Sequence, residues 1–494
     1  MPATVTRPRY DRAALRKGIV HLGIGAFARA HLAAATEAAL AAGDAPHWGI
    51  VGVSLRQADT HEALAPQSGL YTLALRDADD RGEARERLQV VGSLTDVLVA
   101  PADPAAVLER IAAPDTRIVS LTVTEKGYHH DPASGRLREG DADLGHDLSH
   151  ADAPRTSLGF LVHGLQRRRR RGLGPVTLLS CDNLPANGDT LRGLLLGFAA
   201  RVDPALADWI GAQCTFPNAM VDRIVPRTTE ADRARIGAAL GLHDAWPVVA
   251  EPFTEWVVED RFAAGRPAWE HAGVRFVERA EPFEKLKLRM VNGSHSTLAY
   301  LGGMAGWASV DEAIAQPALR RFVDTMMRDE IAPTLPALPG LDLDDYRARL
   351  LRRFANPALA HQTRQIAMDG SQKLPQRLLG TVRDRLRDGR SLNALALAVA
   401  AWLHHLRGVD EAGNAYTIED PLAAALAQHA AVADQAAQGG ADALQRELRR
   451  CEAWCRFAPV FGDLAGNAAL AECMAPQLLS LRERGVLATL QARA

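Results

Sequence analysis

The segment from Gly18 to Gly43, GIVHLGIGAFARAHLAAATEAALAAG, constrains this chain more than any other part of it. A short apolar run ends in Gly23 and Gly25, and an alanine-rich helical pattern follows until Gly43. That order predicts a strand, a tight turn and a helix. A second apolar run, GIVGVSL from Gly49 to Leu55, follows at the distance a parallel crossover requires. Its continuous apolarity suits a strand covered on both faces. RIVSLT from Arg117 and PVTLLSC from Pro175 predict two more strands. Strands alternating with helical stretches predict an α/β chain with a Rossmann-like, doubly wound N-terminal domain. Beyond Pro282, β-branched runs thin out and stretches such as SLNALALAVAAWLHHLRG take over. A mostly α-helical C-terminal domain is therefore expected, with the two domains at 1–282 and 283–494.

Composition narrows the classes of function. The 57 basic and 59 acidic residues leave a net charge of -2, which offers no field to attract nucleic acid or an anionic membrane. No uninterrupted apolar stretch reaches the ~18 residues of a membrane helix, and the first residues lack the apolar core of a secretory signal. A cytoplasmic protein is expected. The five cysteines are odd in number and form no paired CxxC pattern, so neither a disulfide framework nor a zinc cluster is expected, and no metal site is assigned. The arginine run from Arg167 to Arg171 closes a helical pattern before Gly172 and reads as a solvated helix end.

Gly23 and Gly25 have the spacing of the first two glycines of a dinucleotide fingerprint, where pyrophosphate approaches backbone amides at a helix start. Ala28 takes the third glycine's place. Near the end of the second strand an acid would accept from the adenosine ribose, and Asp59 is the candidate. NAD is therefore the expected cofactor, with Gly23, Gly25, Phe27 and Asp59 as candidate cofactor residues; Arg56 beside them keeps a 2′-phosphate, and so NADP, open.

Around residue 284, FEKLKLRMVNGSHSTLAYLGG interrupts an apolar stretch with polar groups. On an ideal α-helix, Glu284, Lys287, Asn292 and His295 fall near about 60°, 0°, 140° and 80°. They share one face, yet Lys287 and Asn292 stand about 7.5 Å apart along the axis. A plain polar stripe and a catalytic face both fit this pattern. Lys285, about 200° around from Lys287, belongs to the outer side.

Seven segments carry a resemblance to the polyol-specific long-chain dehydrogenases, the family of mannitol 2-dehydrogenase and fructuronate reductase (D-mannonate oxidoreductase). They are HLGIGAFARAH from His21, SLTVTEKGY from Ser120, SCDNLPANG from Ser180, FPNAMVDRIVP from Phe216, EPFTEWVVEDRF from Glu251, KLRMVNGSHS from Lys287 and IAMDGSQKLPQR from Ile366. The resemblance implies two domains with a cleft between them and zinc-independent oxidation of a secondary alcohol by nicotinamide. It implies Lys287 as general base, Asn183 and Asn292 as donors to the developing alkoxide, His295 as a substrate-positioning residue and Glu284 as a proton relay. Asp222 and Lys373 match further substrate-pocket positions. A lysine base must titrate far below its ordinary range, near about 10.4, to work at neutral pH.

Two features resemble the fructuronate reductase branch: Lys126 in TEKGY, and QIAMDGSQKLPQR, where mannitol enzymes place an arginine at the position of Gln365. Arg364, Lys373 and Arg377 surround that motif and suit a carboxylate. The expectation is reduction of D-fructuronate to D-mannonate. The alternatives are a mannitol 2-dehydrogenase or other polyol dehydrogenase, and a non-catalytic nucleotide-binding protein. The partner is a sugar acid or a polyol; the sequence does not fix the oligomeric state.

Overall fold

Five parallel strands form the sheet that the opening segment predicts: β1 (Ile19–Leu22), β2 (Ile50–Ser54), β3 (Leu94–Val99), β4 (Ile118–Leu121) and β5 (Thr177–Ser180). The computed structural model describes residues 2, 4–78, 84–131, 134–338, 340–359 and 361–493. The strands lie in the order β3-β2-β1-β4-β5, and every neighbouring pair is parallel. All residues of β1, β2, β4 and β5 are buried, which is why they read as continuous apolar runs. The edge strand β3, LTDVLV, is half-buried and carries no such run. From β1 the chain builds outward through β2 and β3, then returns to the other side for β4 and β5. The order thus reverses between β1 and β4, where doubly wound sheets open a ligand crevice at their carboxyl ends.

Alternate residues face separate cores. Val20, Val119 and Leu178 pack with the helices Ser157–Arg170 and Asn187–Val202 on one side, while Ile19, Ile50 and Ile118 pack with Ala33, Trp48 and Trp269 on the other. Two three-stranded sheets flank this layer. One joins Tyr71–Ala78, Ala84–Val91 and Val248–Ala250; the other joins Ala219–Asp222, Glu255–Glu259 and Arg275–Val277. At the arginine run, Arg167 and Arg171 pair with Glu109. Arg168 departs from the solvated reading, since it is buried and donates to the carbonyls of Gly174 and Ala113.

The chain divides into two compact units at Glu284 and Lys285. The second unit, Lys285–Ala494, is built mainly of helices. At its centre lies Asn393–His405, buried from Ala394 to His405. Among the described residues, three π-helical segments interrupt the α-helices of this unit: Lys287–Gly293, Met326–Ile331 and Pro375–Leu379. Among the described residues no helix is long and apolar enough to cross a membrane.

Candidate active site

The crevice between β1 and β4 is set by close backbone approach. Gly23 has φ of 91°, and a Cβ there would lie 2.1 Å from the Thr122 carbonyl oxygen, so only glycine fits. At Gly25 the space is different. Its φ is -79°, and the only atom a Cβ would approach within 4 Å is the Gly23 carbonyl oxygen at 3.9 Å. The protein itself does not demand a glycine there; an approaching pyrophosphate would. Ala28 is fully buried, and close packing at this turn comes from Gly52 on β2 instead, against which the Ile24 side chain rests.

His21 stitches the crevice. Its Nδ1 bonds Ser120 Oγ and its Nε2 bonds Thr122 Oγ1, both at 2.8 Å. Burial drives its pKa down to about 3, so the ring is a neutral cross-link between β1 and β4. Phe27 is half-buried and stacks on His31 with ring centroids 5.1 Å apart. Asp59 is the first residue of the helix Asp59–Leu64, and its Oδ1 accepts from the Thr60 amide at 2.8 Å. Arg56, two residues past the end of β2, is exposed.

The turn after β5 presents Asn183, which is exposed between two buried polar anchors. Asp182 accepts from the amides of Val123 and Thr124 at 3.0 and 2.9 Å and from the Tyr128 hydroxyl at 2.9 Å. It thereby holds Thr124 at φ 62° and ψ 167°, a region almost reserved for glycine. Burial pushes the Asp182 carboxyl up to about 6 against the pull of those three donors. Asn187 donates from Nδ2 to the carbonyls of Ser180, Asp182 and Ala219 and accepts the Ala219 amide. It fastens β5 to the strand that ends in Asp222, itself buried. Glu284 accepts the amide of Ala186 at 3.1 Å, where the chain has φ of 43°.

In the second unit, Lys287 and Asn292 lie on the π-helical turn Lys287–Gly293. An i→i+5 hydrogen-bond pattern widens each turn, so residues five apart come over one another. That narrows the axial and angular separation expected on an α-helix. Lys287 is buried at 5% exposure, while Lys285 and Arg289 pair with Asp384 at 3.2 and 2.7 Å. Burial opposes the charge on Asp384, but Arg289 and Lys285 outweigh it and hold the carboxyl below its ordinary range. A Cβ on Gly293 would stand 2.8 Å from the Arg377 carbonyl oxygen, so this glycine lets the π turn meet the third π segment. Arg377 then donates to Ser296 Oγ at 3.0 Å.

His295 is half-buried, stacks on Phe354 at 5.3 Å and meets His361 edge-on at 4.9 Å. Burial, then His361, Arg377, Arg353 and Lys373, drive its pKa well below the ordinary range. Lys373 donates to the carbonyls of Ile366 and Met368 at 3.3 and 2.6 Å. Arg364 goes elsewhere: its guanidinium lies 3.3 Å from the centre of the Tyr416 ring and 3.8 Å from Asp410. The structure thus gathers Lys373 and Arg377 about His295 and leaves Arg364 outside that group. Sequence reasoning overlooked His21, Asp182, Arg353 and His361, whose partners lie far away along the chain. Among the described residues no cluster of three or more His, Cys, Asp or Glu side chains suits a metal ion.

Comparison with known proteins bears on both units. The mannitol dehydrogenase Rossmann domain matches residues 17–271, and the mannitol dehydrogenase C-terminal domain matches residues 279–481. D-mannonate oxidoreductase of Escherichia coli (strain K12) is 45% identical over 424 residues, 85% of this chain and 86% of that protein. Mannitol 2-dehydrogenase of Phaeosphaeria nodorum is 42% identical over 424 residues, 85% of this chain and 74% of that one. The solved ternary complex of Pseudomonas fluorescens mannitol 2-dehydrogenase with NAD and D-mannitol shares 39% identity, with a TM-score of 0.87 over 100% of this chain and 97% of that one.

Proposed function

The chain belongs to the mannitol dehydrogenase family, and from that premise we propose that this secondary-alcohol oxidoreductase interconverts D-fructuronate and D-mannonate with NAD. The observation that carries the choice of substrate is the positive field about His295. Arg377, Arg353 and Lys373 all bear on that ring. A sugar acid brings a carboxylate that such a field attracts, whereas a neutral polyol gains nothing from it. Lys126 and the QIAMDGSQKLPQR segment, together with 45% identity to D-mannonate oxidoreductase, support the same reading.

The crevice between β1 and β4 fits a dinucleotide. The backbone at Gly23 and Gly25 would take the pyrophosphate, Phe27 lies beside it on the same turn, and Asp59 would accept from the ribose, with Arg56 as the residue that would admit NADP. Bound there, the nicotinamide supplies or accepts the hydride.

Lys287 gives a proton to the carbonyl oxygen in reduction and takes it from the hydroxyl in oxidation. It is buried, and a lysine that acts as a base at neutral pH must shed its proton far below its ordinary range. The side-chain amides of Asn183 and Asn292 donate to the alkoxide oxygen, and one such preorganised donor is worth about 3 kcal/mol. Glu284, three residues before Lys287, relays the proton, and Asp222 orients substrate hydroxyls.

Turnover of fructuronate, tagaturonate, fructose, mannitol and arabinitol with NAD(H) and NADP(H) tests this reading. The expected result is a kcat/KM for fructuronate at least a hundredfold above that for fructose, with NADH preferred over NADPH. A preference for fructose or mannitol overturns it in favour of a mannitol 2-dehydrogenase, the reading that the Phaeosphaeria nodorum and Pseudomonas fluorescens relatives support.

A further inference from the structure

Among the buried nitrogens of the second unit that lack a hydrogen-bond partner within the described residues are Nε2 of His295 and Nδ1 of His361. Buried polar atoms without partners are rare in native proteins, and each carries a desolvation cost of about 1–3 kcal/mol. Here two occur side by side, on rings 4.9 Å apart with planes inclined at 65°. The His295 ring and the His361 backbone are both fixed. Phe354 stacks on His295, and the His361 carbonyl accepts the Val310 amide at 3.0 Å. The positive charges nearby are fixed too, with Lys373 anchored on the carbonyls of Ile366 and Met368 and Arg377 on Ser296.

We propose that His361 is a specificity-determining residue: with His295 it forms a pair of neutral imidazoles that donate one hydrogen bond to each oxygen of the substrate's carboxylate, while Arg377 and Lys373 supply the counter-charge. The inference rests on the proposed sugar-acid substrate and assigns its carboxylate end to this pair. Burial and the Lys373 charge bring the His361 pKa down to about 4, and His295 lies well below its ordinary range, so both rings are neutral near pH 7. Each neutral ring has one N–H to offer. A carboxylate accepts both hydrogen bonds without any proton changing hands.

Length agrees with this placement. His295 stands three residues beyond Asn292, where the π turn passes into the helix Ser294–Met304, so the axial separation is no more than the α-helical value of about 4.5 Å. In fructuronate four carbon–carbon bonds separate the keto carbon from the carboxylate carbon, about 5 Å when extended. A substrate whose oxygen at the reacting carbon meets Asn292 therefore reaches the imidazole pair with its acid group.

The test compares the wild type with His361→Ala and His361→Asp on fructuronate and on fructose, with calorimetric binding of D-gluconate and D-glucitol alongside. For His361→Ala the fructuronate-to-fructose ratio of kcat/KM falls at least tenfold, the loss carried by KM rather than kcat. For His361→Asp, which sets a carboxylate against a carboxylate, the ratio falls at least a hundredfold. Gluconate binding weakens in parallel and glucitol binding does not follow it. A thermal midpoint close to that of the wild type keeps a folding defect from mimicking this pattern. A ratio unchanged in both variants, or a loss borne by kcat on both substrates alike, overturns the proposal. If the wild type prefers fructose while the variants still lose gluconate selectively, the substrate reading falls and the imidazole pair stands. If the wild type prefers fructuronate and the variants lose both substrates equally, the pair falls and the reading stands.

Discussion

The turn around Asn183 and the ring pair at His295 treat buried polarity in opposite ways. Around the turn, Asp182 and Asn187 spend their hydrogen-bonding capacity on backbone groups of their own unit. Around His295, two ring nitrogens are left over and cationic side chains converge. A saturated network fixes a shape and has little left for a ligand; an unsaturated one is where a polar ligand recovers most. Lys287 stands apart from both, buried on a turn whose winding departs from the α-helix, and counts with the acting residues through its proposed proton transfer. The contrast separates residues that hold the site from those that act on the substrate, and substitutions on each side should fail in different measurements.

The largest effect belongs to Lys287→Ala. Loss of a positioned acid–base group costs about 10²–10⁴ in rate, so kcat should fall about a thousandfold while the Kd for NADH, followed by fluorescence, stays within twofold. Single-turnover rates check this, and turnover within tenfold of the wild type would move Lys287 out of the acting group.

The two glycines of the turn sharpen the contrast at smaller cost. Gly23→Ala drives a Cβ into the Thr122 carbonyl and forces a side chain onto a φ of 91°. It should destabilise the chain by about 2–4 kcal/mol, read from denaturant midpoints. Gly25→Ala meets only open space at an ordinary φ. Stability should stay within about 1 kcal/mol, while affinity for NADH falls at least tenfold. Equal effects on both quantities in both variants would mean that the crevice is not where the dinucleotide lies.

Much of this was legible in the sequence because it repeats locally. Fully covered strands such as Ile50–Ser54 announce themselves as apolar runs, and the helix Asn393–His405 does so by its unbroken burial. Other strands gave no signal, for Val248–Ala250 and Arg275–Val277 have only three residues each. The site divides along the same line. Lys287, Asn292 and His295 share a short segment and so read together as candidates, but an α-helical wheel cannot show the π turn that draws Lys287 and Asn292 closer. Asp182 and His21 escaped notice because their partners lie 58 and 99 residues away. Arg364 was grouped with Lys373 and Arg377 by nearness in sequence alone, and the fold carries it to Tyr416 instead.

The cost of a saturated network should surface in stability against pH. Asp182 titrates at about 6 when folded, because burial outweighs its three donors, and near 3.8 when unfolded. Between those values the native chain holds a proton that the unfolded chain has released. The contribution of Asp182 is thus fully present below about pH 4 and is lost as pH rises through about 6. A shift of that size corresponds to about 3 kcal/mol. Asp182→Asn removes the titration and keeps the shape. The difference in unfolding free energy between variant and wild type should therefore move by about 3 kcal/mol in the variant's favour from pH 4 to pH 7, measured by urea denaturation at each pH. At pH 4 the variant is the less stable of the two, since an amide answers fewer donors than the protonated acid's two oxygens with their remaining lone pairs. A difference that stays flat across this range would mean that the carboxylate is held charged without penalty, its three donors fully offsetting its burial.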